Sequence, residues 1–207
     1  MTTALDRRGF LGAAAAAAGA FALPARAFAQ PFAATEQHRR ILDVARREVG
    51  RVGAVLWRRD IAAIADFGLP SWLPRLHFAF LEAGTVRSFL VTHGRGSDPD
   101  HTGSLKGFSN APGSLATSRG AYISYEGYNG KYGPSLRLGG LDHDNSNVLA
   151  RAIVMHPAAY AAPDMLGKFG KLGRSDGCLA MSFGDFGNAL RDLSGGRLIF
   201  ADRLGIA

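Results

Sequence analysis

Glycine punctuates this chain. Of its 207 residues 27 are glycine, and many fall between residues 94 and 196, where they break short apolar runs apart. Such spacing disfavours long helices and favours short strands joined by loops and turns. The runs themselves read as strands. Leu76–Leu81 and Val86–Thr92 flank a Glu82-Ala83-Gly84 turn. Ala121–Tyr125 alternates in character, Leu136–Leu138 is short and bounded by glycine, and Ala152–Met155 ends at His156. Arg197–Phe200 supplies a final core strand. Between the last two lies a helical stripe, Phe183, Phe186, Ala189, Leu190 and Leu193, with Asp185 as its expected cap and Gly195-Gly196 as its end. The fold expected is mainly β with flanking helices.

The N-terminal part reads differently. Residues 1–29 have the order of an export signal. Asp6-Arg7-Arg8-Gly9-Phe10-Leu11 resembles a twin-arginine motif, an alanine-rich apolar stretch follows to Leu23, and Ala27-Phe28-Ala29 offers a small-x-small cleavage site. The apolar stretch is short for a permanent span, so no stable membrane span is expected after cleavage. The setting predicted is the periplasm, or export to the cell envelope. Loss of Asp6, Arg7, Arg8 and Arg26 with the signal lowers the net charge from +7 to +5. That modest surplus suits anionic cell-wall polymers. No aromatic–basic interleaving supports a nucleic-acid partner, and nothing in the sequence fixes an oligomeric state. Residues 30–74 are expected to form a helical segment packed on a domain of residues 75–207. Its first helix carries Ile41, Val44, Ala45 and Val49 after a Thr35 cap. A second helix is expected over Arg58–Phe67, from the spacing of Ile61, Ile64 and Phe67, and Trp72 is expected to plug the core.

Cys178 is the sole cysteine. It can make no internal disulfide, so it is a small buried hydrophobe, a nucleophile or a lone metal ligand. Its surroundings, Gly173-Arg174-Ser175-Asp176-Gly177-Cys178, carry charge and a glycine that permits close backbone approach. His156, at the end of its strand, lies 22 positions earlier, which leaves room for a loop to bring an imidazole to the thiol. Asp142-His143-Asp144, with Asp98, Asp100 and His101, raises a metal alternative. No HExxH or paired CxxC motif supports it.

The C-terminal half resembles the L,D-transpeptidase catalytic domains that act on bacterial peptidoglycan, and within them a murein branch with a divergent active-site motif. Where the usual pattern is a histidine, a loop, then Ser/Thr-His-Gly-Cys, this chain has His156, a loop, then Ser175-Asp176-Gly177-Cys178. Upstream pieces also look like that branch: Thr92-His93-Gly94-Arg95-Gly96, Phe108-Ser109-Asn110, Tyr132-Gly133-Pro134-Ser135-Leu136-Arg137-Leu138, and Gly140-Leu141-Asp142 with Asn147 and Arg151. The resemblance spans roughly residues 75–201 and implies a β-sandwich catalytic fold and a thiol reaction that needs no metal or other cofactor. Cys178 is then the nucleophile and His156 its base, with peptidoglycan stem peptides as partners. Gly177, Ser175 and Pro157 are expected to shape the oxyanion site and the loops, the Pro157 carbonyl orienting the imidazole. His93, Ser109, Asn110, Asp142, Arg151 and Arg174 are the substrate-binding candidates. The implied product is a 3–3 cross-link through a thioester; hydrolysis of the same thioester would make the enzyme an L,D-carboxypeptidase. A zinc peptidase and a noncatalytic peptidoglycan-binding module are the remaining alternatives. The departures are Asp176, where the family has histidine, and Leu179-Ala180 after the cysteine.

Overall fold

The computed structural model describes residues 35–206; the export signal expected over residues 1–29 lies outside them. Helix α1 (Glu36–Val52) opens the described chain. Thr35 caps it, its hydroxyl accepting the His38 N–H at 3.2 Å. Eight strands follow: β1 (Ile61–Asp66), β2 (Leu76–Phe80), β3 (Thr85–Phe89), β4 (Gly120–Gly130), β5 (Gly133–Gly140), β6 (Val154–Pro157), β7 (Leu179–Met181) and β8 (Leu198–Asp202). Two more α-helices, α2 (Asp164–Phe169) and α3 (Phe183–Leu193), flank them.

The strands form one mixed sheet in the order β3-β2-β1-β8-β4-β5-β6-β7. The β1/β8 and β6/β7 pairs are parallel and the others antiparallel. The expected packing of β-layers takes the form of this single sheet curling on itself. Phe78 near one edge and Met181 at the other belong to the same buried cluster, with Tyr122, Leu136, Met155, Ile199 and the Phe186 face of α3. The loop that follows β3 closes the gap between the edges, because the Thr92 N–H donates to Ala180 O at 3.0 Å. The opposite face is covered by α1, whose Ile41, Leu42, Ala45 and Val49 pack on Ala62, Ile64, Ala121, Ile123 and Leu198. Burying an aliphatic side chain of the size of Ile41 or Leu42 contributes roughly 1.5–3 kcal/mol.

The structure revises several local expectations. Residues 61–66 are a strand, not a second helix, and sit between β2 and β8. Both faces of this central strand are buried, so its alternation vanishes from the sequence, and an apolar run with no period of two reads equally well as helix. The alanines at 62, 63 and 65 leave room for α1 on one side and the main core on the other. β4 and β5 extend well beyond the expected short strands and meet at a Lys131-Tyr132 turn. The α3 cap is Ser182, which accepts the Asp185 N–H at 3.0 Å, rather than Asp185 itself. Trp72 is 43% exposed and is not a core plug.

Candidate active site

The cysteine segment is held from three directions by short polar contacts. The Ser175 N–H donates to His93 O at 3.0 Å and the Arg95 N–H to Ser175 O at 2.8 Å, so residues 93–95 run alongside 175 as a one-bridge parallel ladder. Thr117 joins the two chains: its hydroxyl accepts the Gly94 N–H at 2.9 Å and donates to Gly177 O at 3.2 Å. The Ser175 hydroxyl donates to Cys178 O at 2.6 Å and accepts the Gly177 N–H at 3.2 Å, which closes the turn before the cysteine. Two glycines make this crossing possible. A Cβ on Gly94 would lie 2.3 Å from Leu115 O and 2.8 Å from Gly177 Cα. Gly177 has φ +119°, and a Cβ there would lie 2.9 Å from Ala116 O.

From this turn the chain enters β7, whose register with β6 fixes the relation of thiol to imidazole. Met155 is level with Leu179 and His156 with Ala180. Met155, Leu179 and Met181 point into the main core. Ala180 points the other way, against Ala158, Ala161 and Tyr160, and by strand alternation His156 shares its face. Carried back one step, the same register sets Cys178 level with Val154, two residues from His156. Strand spacings then put the Cys178 and His156 Cα atoms roughly 8 Å apart. The thiol's hydrogen-bond partner is the Ala152 carbonyl, 3.8 Å from Sγ, and Ala152 holds a left-handed backbone with φ 53°.

Around the imidazole, Pro157 O lies 2.9 Å from His156 Nδ1. A carbonyl only accepts, so Nδ1 carries the proton and Nε2 has the free lone pair. The Tyr132 ring stacks on the imidazole with centroids 4.4 Å apart and planes 18° apart, and Tyr160 meets it edge-on at 6.4 Å. The pair is therefore covered. His156 is 1% exposed and Cys178 7%, while Tyr132, on the β4–β5 turn, is 46% exposed. Burial pushes the His156 pKa below its ordinary value, against the pull of the Pro157 carbonyl. Burial pushes the thiol up. Asp176 adds to that, and the Val154 N–H and Arg151 oppose it. Both shifts favour the neutral thiol and the neutral imidazole at neutral pH.

Most residues expected to touch substrate are engaged with the protein itself. His93 is a correction: it is buried, not in a groove wall, because Arg75 donates to its Nδ1 at 2.8 Å and its Nε2 faces Asp98 at 3.4 Å. Asp98 in turn accepts the Thr102 and Gly103 N–H groups. Arg75 is fully buried, and desolvation lowers its pKa to about 9. Asp142 is a second correction. It lies at the α1 end of the sheet, where both its oxygens are engaged by Arg51 at 2.7 and 2.9 Å and by the Ala121 N–H at 2.7 Å. Arg51 neutralises it. Asp142→Ala is expected to lower stability by about 1–3 kcal/mol, since a buried donor on Ala121 loses its acceptor, with KM for peptide unchanged. Urea titration and steady-state kinetics check this; a raised KM at unchanged stability would restore the substrate-binding role.

Arg151 organises the loop rather than presenting a free guanidinium. It donates to Ser109 O at 2.7 Å, Ser118 Oγ at 2.8 Å, Ser114 Oγ at 3.0 Å and Ala116 O at 2.6 Å. Asn110 ties this loop to the segment after β5, through His143 O and Ser146 Oγ at 3.0 Å each and through Asn147. The Ser109 hydroxyl accepts the Ala111 N–H at 3.2 Å. Arg174 donates to Asp98 O and to Pro99 O, the latter at 2.9 Å. Tyr132, Tyr160, Thr117 and Arg95 were not among the site residues expected. Tyr132 and Arg95 lie inside the very motifs that carry the resemblance; Thr117 has no signal beyond a Ser/Thr-rich loop. Among the described residues no group of three or more His, Cys, Asp or Glu side chains is placed to hold a metal ion.

The sequence pattern of the L,D-transpeptidase catalytic domain matches residues 39–201. The chain belongs to that family. The family match begins inside α1, so β1 and α1 fall within it along with the cysteine segment. No curated protein sequence matches the chain. Among solved structures it is similar to an L,D-transpeptidase from Mycobacterium smegmatis, at 14% identity over 69% of this chain and 58% of that one, with a TM-score of 0.42. It is also similar to the helical cell shape determining protein Pgp2 from Campylobacter jejuni, at 14% identity over 78% of this chain and 55% of that one, with a TM-score of 0.44. The chain thus spans less than three-fifths of the length of either. Family membership and the buried Cys178 are consistent with a cysteine-dependent, transpeptidase-like activity. No helix among the described residues is long and apolar enough to cross a membrane.

Proposed function

We propose that this L,D-transpeptidase domain forms 3–3 cross-links in peptidoglycan through a thioester on Cys178. The observation that carries the reading is the β6/β7 register, which sets His156 and Cys178 on one face with the imidazole Nδ1 held by Pro157 O. His156 Nε2 takes the thiol proton as Sγ attacks the carbonyl between the L-centre and the terminal D-residue of a tetrapeptide stem. A C–S bond forms, and the oxyanion is met by the Cys178 N–H, since the Gly177 N–H already donates to Ser175. The C–N bond then breaks, and the imidazolium returns its proton to the departing amine of the D-residue. A side-chain amine of a second stem attacks the thioester, C–N forms, C–S breaks, and the thiol is regenerated. Tyr132 must swing off the imidazole before a peptide can reach the pair.

Incubation with purified tetrapeptide muropeptides at several acceptor concentrations tests this, with products resolved by mass. A cross-linked dimer that has lost one terminal D-residue is expected. Tripeptide alone, with abundant acceptor and a detectable thioester, would instead assign the chain to hydrolysis as an L,D-carboxypeptidase. The same reading locates the enzyme in the cell envelope after signal cleavage near Ala29. N-terminal sequencing of exported protein is expected to begin near Gln30 or Phe28, and active mature protein that keeps Met1 through Ala29 would reject that part.

A further inference from the structure

Asp176 occupies the position two residues before Cys178 and forms an ion pair with Arg95, 2.9 Å from Oδ1 to Nε. Both side chains are more than half exposed, at 55% and 56%. The backbones beneath them are locked together by the Gly94–Ser175 bridge and the Arg95 N–H bond to Ser175 O, so the pair stays beside the cysteine turn whatever the side chains do. Only Gly177 stands between Asp176 and the cysteine in the chain. The other arginines flanking the turn differ in kind. Arg151 and Arg174 bind mostly carbonyl oxygens that cannot move away. Arg95 alone of the three has an exposed side-chain carboxylate as partner, and solvent-exposed pairs of this sort hold little net stability, so a ligand carboxylate can exchange for Asp176.

We propose that Arg95 is the specificity-determining residue that reads the carboxylate of the departing D-residue, with Asp176 occupying that place until the peptide arrives. The inference rests on the acyl-transfer reading given above and names the substrate group it recognises. Only Gly177 separates Asp176 from Cys178, so their Cα atoms lie at most about 7 Å apart, and the terminal carboxylate of a stem lies one residue beyond the carbonyl that Sγ attacks. A planar guanidinium suits bidentate pairing with a carboxylate. Asp176, standing where the family pattern has histidine, would thus screen the arginine from the many other anions of the envelope.

The test compares a tetrapeptide ending in a free D-alanine carboxylate with its C-terminal amide. Binding is measured calorimetrically to the Cys178→Ser protein, with Arg95 intact and as Arg95→Ala, and thioester formation is followed separately by mass on the Cys178 protein. With Arg95 intact, the acid is expected to bind on the order of tenfold more tightly than the amide, as a charge-assisted bidentate pair predicts. Arg95→Ala should erase the difference and Arg95→Lys restore part of it. Asp176→Asn, which removes the competing carboxylate, should tighten binding of the acid several-fold and leave the amide unchanged. An acid-to-amide ratio that survives in Arg95→Ala overturns the inference, as does a ratio that instead falls in Lys131→Ala. If no thioester forms while the Arg95-dependent ratio persists, the chemistry proposed above fails and the carboxylate site stands.

Discussion

Cys178→Ala is expected to abolish thioester formation and lower turnover roughly 10⁴-fold or more, with the fold retained. The side chain is small, and the turn around it is held by backbone groups: Ser175 Oγ bonds Cys178 O, and Thr117 Oγ1 bonds Gly177 O. His156→Ala should lower the rate about 10²–10⁴-fold, the usual loss for a positioned general base, and change its pH dependence in a defined way. Burial lowers the imidazole pKa and raises that of the thiol, so the resting pair is neutral rather than a thiolate–imidazolium pair. Only neutral imidazole accepts the thiol proton. Hence kcat/KM should fall as pH drops through a value below the ordinary histidine value of about 6.5. In His156→Ala that acid limb should vanish, and the residual rate should climb toward pH values above the ordinary cysteine value of about 8.5. Alkylation of the resting thiol at pH 7 should be slow for the same reason. Intact-mass detection of the thioester and kcat/KM in the three proteins check all of this, read from pH 10 down to the lowest pH at which circular dichroism shows each protein folded. A His156→Ala enzyme with the parental rate and pH profile would remove His156 from the chemistry.

A steep loss of stability in mild acid is the second large effect expected. His77 and His93 are both buried, and desolvation lowers each pKa to about 4. His93 is further lowered by Arg75 beside it, against the opposing pull of Asp98. His77 sits under α1, level with Ile64, with Nδ1 on Ser88 Oγ at 2.8 Å and Nε2 without a partner. In the unfolded chain each histidine takes up a proton near pH 6.5; in the folded chain neither does so until about pH 4. Stability is therefore greatest above pH 6.5, declines as pH falls from 6.5 toward 4, and loses about 3 kcal/mol for each histidine across that window. The two losses together are comparable with the whole stability of an ordinary domain. Urea titrations at half-unit pH steps between 7 and 4 measure the slope. His77→Leu, which removes this imidazole, should reduce it by about half. A midpoint that stays flat from pH 6.5 to 4.5 would refute the assignment. The depressed carboxylates Asp98 and Asp142 act in the same direction only at lower pH, so the window separates the two causes.

Pattern along the chain was sufficient for the parts of this protein that are local. Glycine-bounded apolar runs marked most of the strands, the periodic stripe of Ile41, Ala45 and Val49 marked α1, and a lone cysteine preceded by Ser175-Asp176-Gly177 marked the turn at Cys178. The resemblance also pointed to the carbonyl of Pro157, which lies 2.9 Å from the imidazole Nδ1. What failed was whatever depends on partners distant in sequence. Residues 61–66 look helical because a strand covered on both faces by α1 and the main core has no polar side to reveal it. His93 and Asp142 look like site residues because polar side chains near a motif carry no mark of burial; only the fold shows that Arg75 and Arg51 reach them first. Tyr132 covers His156 because β4 and β5 run long enough to carry their turn over the sheet edge, and that length is set by pairing between strands. The residue types and their order thus fixed the chemistry available, while strand register decided which side chains meet, because a side chain's face is settled by the neighbour its backbone bonds and not by its place in the sequence.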